Sequence, residues 1–378
     1  MDSCALEASV AYEDLVESVL HAYRDDSQNY PWIVGFSGGK DSTLVAHLVF
    51  DAVMQVAPRR RNRQIYFVSN DTLVESPFVT RQVQEQFDMV QCAADCFSLP
   101  ITTVITRPKL EHTFWVLLIG KGYPCPNQKM RWCTDRLKIK PTSQFILDNV
   151  SRFGSAIIVL GVRKDESSSR RQSIERHKNL ENSYLTPHGT LRGAFIYRPI
   201  VELTTSDVWY LLGHYDPPWG GTHEKLIQMY RDAEGGECPM VLSQEEAPGC
   251  GTSSSRFGCW ACTVVNKDKS LQGFVNSGQK KYQLLIDFRD WLQAIRNDPA
   301  YRQARRRNGQ LTFQASGKII GGPFTLKARQ EILQRLLDVQ KHYGEPLISE
   351  EEIRLIRACL ETHLSIMKRF NSMLAMAI

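Results

Sequence analysis

The sequence predicts an α/β fold: a doubly wound parallel sheet, with an added cysteine-rich loop and a helical C-terminal lobe. Three observations predict it. Short apolar runs at 32–36, 65–69, 101–105 and 156–160 alternate with stretches of helical period, the pattern of βαβ units. A Gly-Gly corner separates the first such run from the helix after it. Beyond about residue 200 the texture changes to a Gly-, Pro-, Ser- and Cys-rich stretch at 234–258, followed by helical spacing at 279–297 and 325–343.

Each element has its own warrant. Residues 6–23 alternate acidic and apolar positions at helical spacing, which predicts an amphipathic helix. Residues 77–97 have a mixed helical pattern between the second and third strands. The fourth strand ends in Gly161-Val162-Arg163, and the second ends at Asn70-Asp71. Thr204-Thr205-Ser206-Asp207 before an apolar run marks a helix start. Ser349 with Glu352 is a capping-box pattern for a last helix. Gly309 to Gly322 reads as hairpin-like, after a cluster formed by Arg302, Arg305, Arg306 and Arg307. Parallel sheets of this kind bind ligands outside the carboxyl ends of their strands, where the polar loops after strands one, two and four fall.

The chain has 378 residues, enough for two domains or one large domain with an added lobe. Its net charge of +5 permits a nucleic-acid partner without requiring one. No apolar run is long enough to span a bilayer, and the first twenty residues carry acids where an export signal needs bases. Ten cysteines in such a chain read as reduced thiols, metal ligands or catalytic groups, so a cytoplasmic location without membrane contact is expected.

Ser37-Gly38-Gly39-Lys40-Asp41-Ser42, between a strand and a helix, has the chemistry of a pyrophosphate-binding loop. Gly38 and Gly39 let the backbone turn tightly and approach a phosphate. The helix N-terminus aims N–H groups and its positive dipole end at the anion. Ser37 and Ser42 offer hydroxyls, Lys40 a point charge, and Asp41 a ligand for Mg²⁺ or a helix cap. A Walker loop is excluded, because its first Gly and its Ser/Thr would fall at Val34 and Asp41. ATP with Mg²⁺ is the expected ligand. Asn70, Gly161, Arg163 and Glu166 join the candidate nucleotide site from the neighbouring strand ends, Arg163 as a planar phosphate fork.

The cysteines add a second chemistry. Cys259-Trp260-Ala261-Cys262 is a close pair, with Cys250 and Cys238 spread upstream. The spacing leaves an iron–sulfur cluster, zinc and free thiols open. Cys133 stands apart from this quartet in sequence, among Arg131, Arg136 and Lys138, whose charge is expected to lower its pKa.

The 37–42 loop resembles that of the PP-loop ATP pyrophosphatase superfamily, whose members cleave ATP between the α- and β-phosphates and whose fold sulfonucleotide (PAPS/APS) reductases share. Arg131-Trp132-Cys133-Thr134 through Pro141, and Leu160-Gly161-Val162-Arg163 through Ser167, are similar to two segments of the reductase-like branch. Cys238, Cys250, the run from Gly258 to Thr263, Val265, and Asp268 to Ser270 resemble the cluster-binding segment of DndC-type sulfurtransferases of DNA phosphorothioation. This resemblance implies an adenine nucleotide alpha hydrolase-like fold and a [4Fe–4S] cluster on Cys238, Cys250, Cys259 and Cys262. It further implies DNA as substrate, a cysteine desulfurase as sulfur donor and other phosphorothioation subunits as partners. Residues 1–215 would then form the nucleotide domain, 216–300 the cluster segment and 301–378 the helical lobe. In that reading Lys40, Asp41 and Arg163 serve ATP cleavage, and Cys133 carries a persulfide. Sulfonucleotide reduction, tRNA thiolation and a non-catalytic nucleotide- and DNA-binding role are the alternatives.

Overall fold

A computed structural model describes residues 10–25, 29–166, 168–176, 184–233, 258–315 and 317–376. Cys238 and Cys250, and with them half of the expected quartet, lie outside the described residues. By its contacts the chain divides into two compact units that interleave along the sequence.

The first unit gathers the described residues of Met1–Asn70, Pro77–Thr106 and Thr142–Phe257. Its centre is a six-stranded sheet ordered β3-β2-β1-β4-β6-β5, from β1 (Trp32–Gly35), β2 (Ile65–Asn70), β3 (Ile101–Thr106), β4 (Ala156–Val159), β5 (Leu185–Pro187) and β6 (Ala194–Tyr197). All neighbours are parallel except β5 on β6. Trp32 and Ile33 of β1 sit opposite Ile65 and Tyr66 of β2 on one side, and opposite Ile157 and Ile158 of β4 on the other. A parallel sheet covered on both faces needs continuous apolar strands, which explains why β1 and β4 read as unbroken runs. β5 escaped the sequence reading because a three-residue edge strand ending in proline carries no period, and β6 because four residues are too few to show one.

Helix α1 (Tyr12–Asp25) packs on α2 (Lys40–Met54), as does α6 (Thr205–His214). Residues 42–50 of α2 are all buried, so it is a core helix, apolar nearly all round. Inside it, His47 Nε2 donates to the Asp216 carbonyl at 2.7 Å, and the Tyr12 hydroxyl lies 2.7 Å from His47 Nδ1 and contacts the Asp51 carboxyl. The helix start expected at 204–207 is a full capping box: Thr204 N–H donates to Asp207, and Asp207 N–H to the Thr204 hydroxyl. Helices α3 (Pro77–Cys96), α4 (Lys140–Phe153), α5 (Ser168–Arg176) and α7 (Glu224–Ala233) complete the alternation.

The second unit holds the described residues of Asp71–Ser76, Arg107–Pro141 and Gly258–Ile378. It contains α8 (Lys269–Asn276), α9 (Gln283–Ile295), α10 (Leu326–Tyr343) and α11 (Glu350–Met376), plus two π-helical turns, Val116–Gly120 and Thr134–Ile139. The first of these turns is wholly buried, with α10 and α11 against it. Thr325 caps α10, Gly344 ends it at φ +83°, and the expected Ser349–Glu352 capping box starts α11.

Candidate functional site

The sheet order reverses between β1 and β4, and the 37–42 loop leaves β1 at that point. Crevices at such switch points are where open α/β sheets take their ligands. Gly38 sits at φ +74°, and a Cβ there would come 2.7 Å from Val83 Cγ2. The Ser42 hydroxyl donates to Gly39 O at 2.9 Å and accepts from Ser37 N–H at 3.1 Å, so the two serines hold the turn in shape. Gly39 caps α2 with no side-chain bond. The Lys40 N–H donates instead to the Tyr230 hydroxyl at 3.3 Å. The start of α2 thus offers an amide whose acceptor is a neutral phenol, a contact that a phosphate oxygen could replace.

Gly161 serves this corner through its smallness. A Cβ on it would lie 2.7 Å from Asp41 O, so only glycine lets the turn after β4 pass so near the first turn of α2. Arg163 differs from the expected phosphate fork. Its guanidinium is 1 % exposed and fully engaged: Nε donates to Asp41 Oδ1 at 2.7 Å, Nη1 to Leu203 O at 3.1 Å, and Nη2 to the Thr205 hydroxyl at 3.1 Å. Arg163 N–H donates to Glu166 Oε1 at 3.0 Å. Asp41, expected as a Mg²⁺ ligand or cap, is held by Arg163 and by Lys40 Nζ at 3.0 Å. Arg163 therefore orients Asp41, and Glu166 holds the Arg163 backbone. Asn70 Oδ1 accepts from the Thr106 hydroxyl at 2.6 Å, at the ends of β2 and β3. Tyr230 is the residue that sequence reasoning missed: it lies 190 positions downstream, with no motif around it. Two open cavities, of about 270 and 580 Å³, include no residue of the 37–42 loop, so the nucleotide reading rests on the loop's geometry.

The thiols of the second unit are built from three separate stretches. Residues 74 and 258–260 pair as a short ladder, with Trp260 N–H donating to Val74 O at 3.0 Å and Cys259 bridging Glu75. Cys262 N–H turns back to Cys259 O at 3.0 Å, closing the Cys-x-x-Cys knuckle. Buried Trp260 anchors it beside Trp115 and Phe288. Buried Arg289 and half-buried Arg296 brace its carbonyls, Cys262 O at 2.8 Å and Thr263 O at 2.6 Å. The Cys259 thiol lies 3.7 Å from Glu75 Oε1 and 3.4 Å from the Thr72 hydroxyl, and Lys138 Nζ pairs with Glu75 at 2.9 Å. Burial, then Glu75, push the Cys259 pKa up, while Lys138 opposes.

Cys133 opens the π-helical turn Thr134–Ile139, and here the structure corrects an expectation. Its pKa is raised, not lowered, by burial first and by Cys262 second. The physical reason is that burial penalises the thiolate, while two of the neighbouring cations pair with carboxylates, Arg136 with Asp135 and Lys138 with Glu75. Cys125 is buried, with its pKa pushed up to about 12, and its thiol donates to Leu292 O. Among the described residues no three His, Cys, Asp or Glu side chains are grouped to hold a metal ion. Cys259 and Cys262 fit as two of the four thiolates a cluster needs, once metal binding displaces their protons.

A sequence profile described as the phosphoadenosine phosphosulfate reductase domain matches residues 31–265. The chain belongs to that family. The match spans the nucleotide loop, Cys133 and the knuckle together. An uncharacterized protein of Methanocaldococcus jannaschii is 26 % identical over 195 residues, 52 % of this chain and 34 % of its own length. The chain thus spans about a third of that curated relative. Among solved structures, the phosphoadenylyl-sulfate (PAPS) reductase of Candida auris aligns over 56 % of this chain and 89 % of its own, at 13 % identity and a TM-score of 0.33. A U34-tRNA thiolase of Methanococcus maripaludis, solved with its [4Fe–4S] cluster, aligns over 57 % and 70 % at 13 % identity and a TM-score of 0.33. Scores this low say nothing about substrate. Among the described residues, no helix is long and apolar enough to cross a membrane.

Proposed function

We propose that this member of the reductase-domain family is an ATP-dependent sulfurtransferase that places sulfur on the DNA backbone. The observation that carries the reading is that one family match, over residues 31–265, takes in the pyrophosphate-type loop, Cys133 and the Cys-x-x-Cys knuckle. A separate thiol and a Cys-x-x-Cys in one chain with such a loop suit sulfur transfer better than simple phosphate chemistry. The choice of DNA as acceptor rests on the resemblance of residues 238–270 to DndC-type enzymes.

In this mechanism the amides at the start of α2 and Lys40 hold the triphosphate, while Arg163 fixes Asp41 toward it. Bound ATP supplies the adenylyl group, which a non-bridging DNA phosphate oxygen accepts as pyrophosphate leaves. That oxygen then departs with AMP. Cys133 carries a sulfane sulfur, received as a persulfide from a cysteine desulfurase, and its terminal sulfur attacks phosphorus. A dithiol reductant then attacks the Cys133 sulfur of the resulting Cys–S–S–P linkage. The S–S bond breaks, the phosphorothioate is released, and the dithiol leaves oxidised with Cys133 returned as a thiol. A cluster on Cys259, Cys262 and the two upstream cysteines would supply a redox centre and a brace for the loop.

Family membership favours one second reading, reduction of a sulfonucleotide. Radiolabelled substrates separate the two. AMP and pyrophosphate from ATP, with phosphorothioate found by mass spectrometry of digested DNA, is the expected result. Sulfite released from PAPS would overturn it. Thiolated tRNA would move the acceptor, and no turnover with ATP-tightened DNA binding would leave a binding subunit.

A further inference from the structure

The basic cluster at 302–307 turns out to be two different things. Arg302 is a brace: its guanidinium donates to Gly322 O at 2.6 Å, Gly321 O at 2.6 Å and Arg296 O at 2.5 Å, and stacks on Phe324. Arg307 lies over the Tyr123 ring and donates to Lys121 O. Arg305 and Arg306 are exposed.

The 302–324 segment closes on itself as a short ribbon, interrupted on its first side by a turn in which Arg306 N–H donates to Gln310 O and Arg305 Nη1 to Gly309 O, both at 2.9 Å. Gln303 N–H donates to Pro323 O and Gly322 N–H to Gln303 O, at 2.8 and 2.6 Å. Gly322 packs on the Arg305 carbonyl so closely that a Cβ would lie 1.8 Å from it, so glycine is required there. Farther out, Ile320 N–H donates to Thr312 O and Gln314 N–H to Lys318 O, and Phe313 pairs with Ile319.

Two properties of the ribbon are unusual together. From residue 302 to 324 the sequence has five basic residues and no acidic one, whereas the whole chain nets only +5. The outer part also exposes large apolar side chains, Leu311 at 42 %, Phe313 at 55 % and Ile319 at 43 %. A purely solvated charged loop has no use for them, and a protein-docking hairpin has no use for an unbroken positive sign. Both features suit a nucleic-acid duplex, whose phosphates take the cations and whose groove admits a two-stranded ribbon with apolar contacts to base edges or steps.

We propose that the ribbon at 302–324 is a docking surface for duplex DNA, with Arg305, Arg306 and Lys318 on phosphates and Phe313 in a groove. The choice of DNA over RNA rests on the functional reading above, whereas the ribbon's chemistry stands without it. A B-form groove admits such a ribbon, while the deep, narrow major groove of an RNA helix does not.

The test is fluorescence anisotropy of the full chain with a labelled DNA duplex, without ATP, across a salt series. Replacing Arg305, Arg306 and Lys318 together with glutamine should weaken binding at least about tenfold and flatten the log–log salt slope by about 2 to 3. Phe313→Ala should weaken binding a few-fold with the slope unchanged, since an apolar contact releases no counterions. All four side chains are exposed, so thermal unfolding should match the parent. Unchanged affinity and slope in the triple variant would overturn the proposal, as would tighter binding of tRNA than of duplex DNA. DNA bound through the ribbon but never sulfurated would sink the functional reading and leave the ribbon standing.

Discussion

The nucleotide loop and the thiol knuckle reach reactivity from opposite directions. The loop is six consecutive residues whose work is done by backbone, with two serines holding the turn and a helix start presenting amides. The knuckle is assembled from residues 72–75, 133–138 and 259–262, and its side chains cancel one another: Lys138 with Glu75, and Glu75 against the Cys259 thiol. An anion site can stand ready because peptide dipoles cost no proton. Burial raises the pKa of Cys133 and Cys259 and so favours their protonated forms, and a metal ion or persulfide donor that binds there would have to displace those protons.

The sharpest way to break this comparison is Cys133→Ser. If the loop and the knuckle carry separate halves of one reaction, the variant should lose sulfur transfer to background while ATP affinity stays at the parent value. Its visible absorbance after anaerobic purification should also be unchanged. Loss of that absorbance would make Cys133 a ligand of the centre rather than the sulfur carrier.

Next in size is Arg163→Met. The change leaves Asp41 with Lys40 alone and takes a donor from Leu203 O and the Thr205 hydroxyl. Breaking a buried pair on one side costs about 3 to 5 kcal/mol, the lower end applying here because Asp41 is partly exposed. Denaturant unfolding should show that loss together with weaker ATP binding. A stable variant that loses only ATP affinity would restore Arg163 to the phosphate-fork role.

How much of this was legible follows from where each interaction sits in the chain. The strands β1 and β4 were legible because burial on both faces forces unbroken apolar runs, and the Thr204 and Ser349 caps because their partners lie three residues away. The loop was legible for the same reason of locality. Tyr230 was not, because its hydroxyl meets Lys40 only through the fold. The pKa direction of Cys133 was misread because sequence shows cations near a thiol but neither the burial that penalises its charge nor the carboxylates that pair with the cations. Gly161 looked like a phosphate-loop glycine, and its closeness to Asp41 O gives it a packing reason that no local pattern carries.

Acid should separate the two units. In the first, burial pushes the pKa of His47 down to about 3, with His223 lowering it further, and that of His223 down to about 4. Both lie well below the ordinary value near 6.5, so between there and the folded values the unfolded chain binds protons that the folded one refuses. The stabilisation is complete above about pH 6.5 and is lost as pH falls toward 4. At pH 5 each histidine would cost about 2 kcal/mol. The two rings are 5.4 Å apart, so the losses overlap rather than add. Hydrogen exchange at pH 7 and 5, corrected for intrinsic rates, should show α2 losing protection before α9 and α10. The reverse order would mean that the thiol unit is the acid-sensitive one.

The smallest effect probes the loop itself. Tyr230→Phe removes the hydroxyl that accepts from Lys40 N–H and leaves the ring in place. Without nucleotide the variant should be less stable by about 1 kcal/mol, the usual net value of one hydrogen bond. If the start of α2 is an anion site, a phosphate oxygen takes the same amide when ATP binds, and the phenol is no longer needed. Thermal unfolding of parent and variant should therefore differ without nucleotide and converge at saturating Mg·ATP. A difference that persists undiminished would mean that the amide stays with Tyr230 when ATP is present. The helix start would then be a structural cap, and the nucleotide would have to be held by the loop's side chains alone.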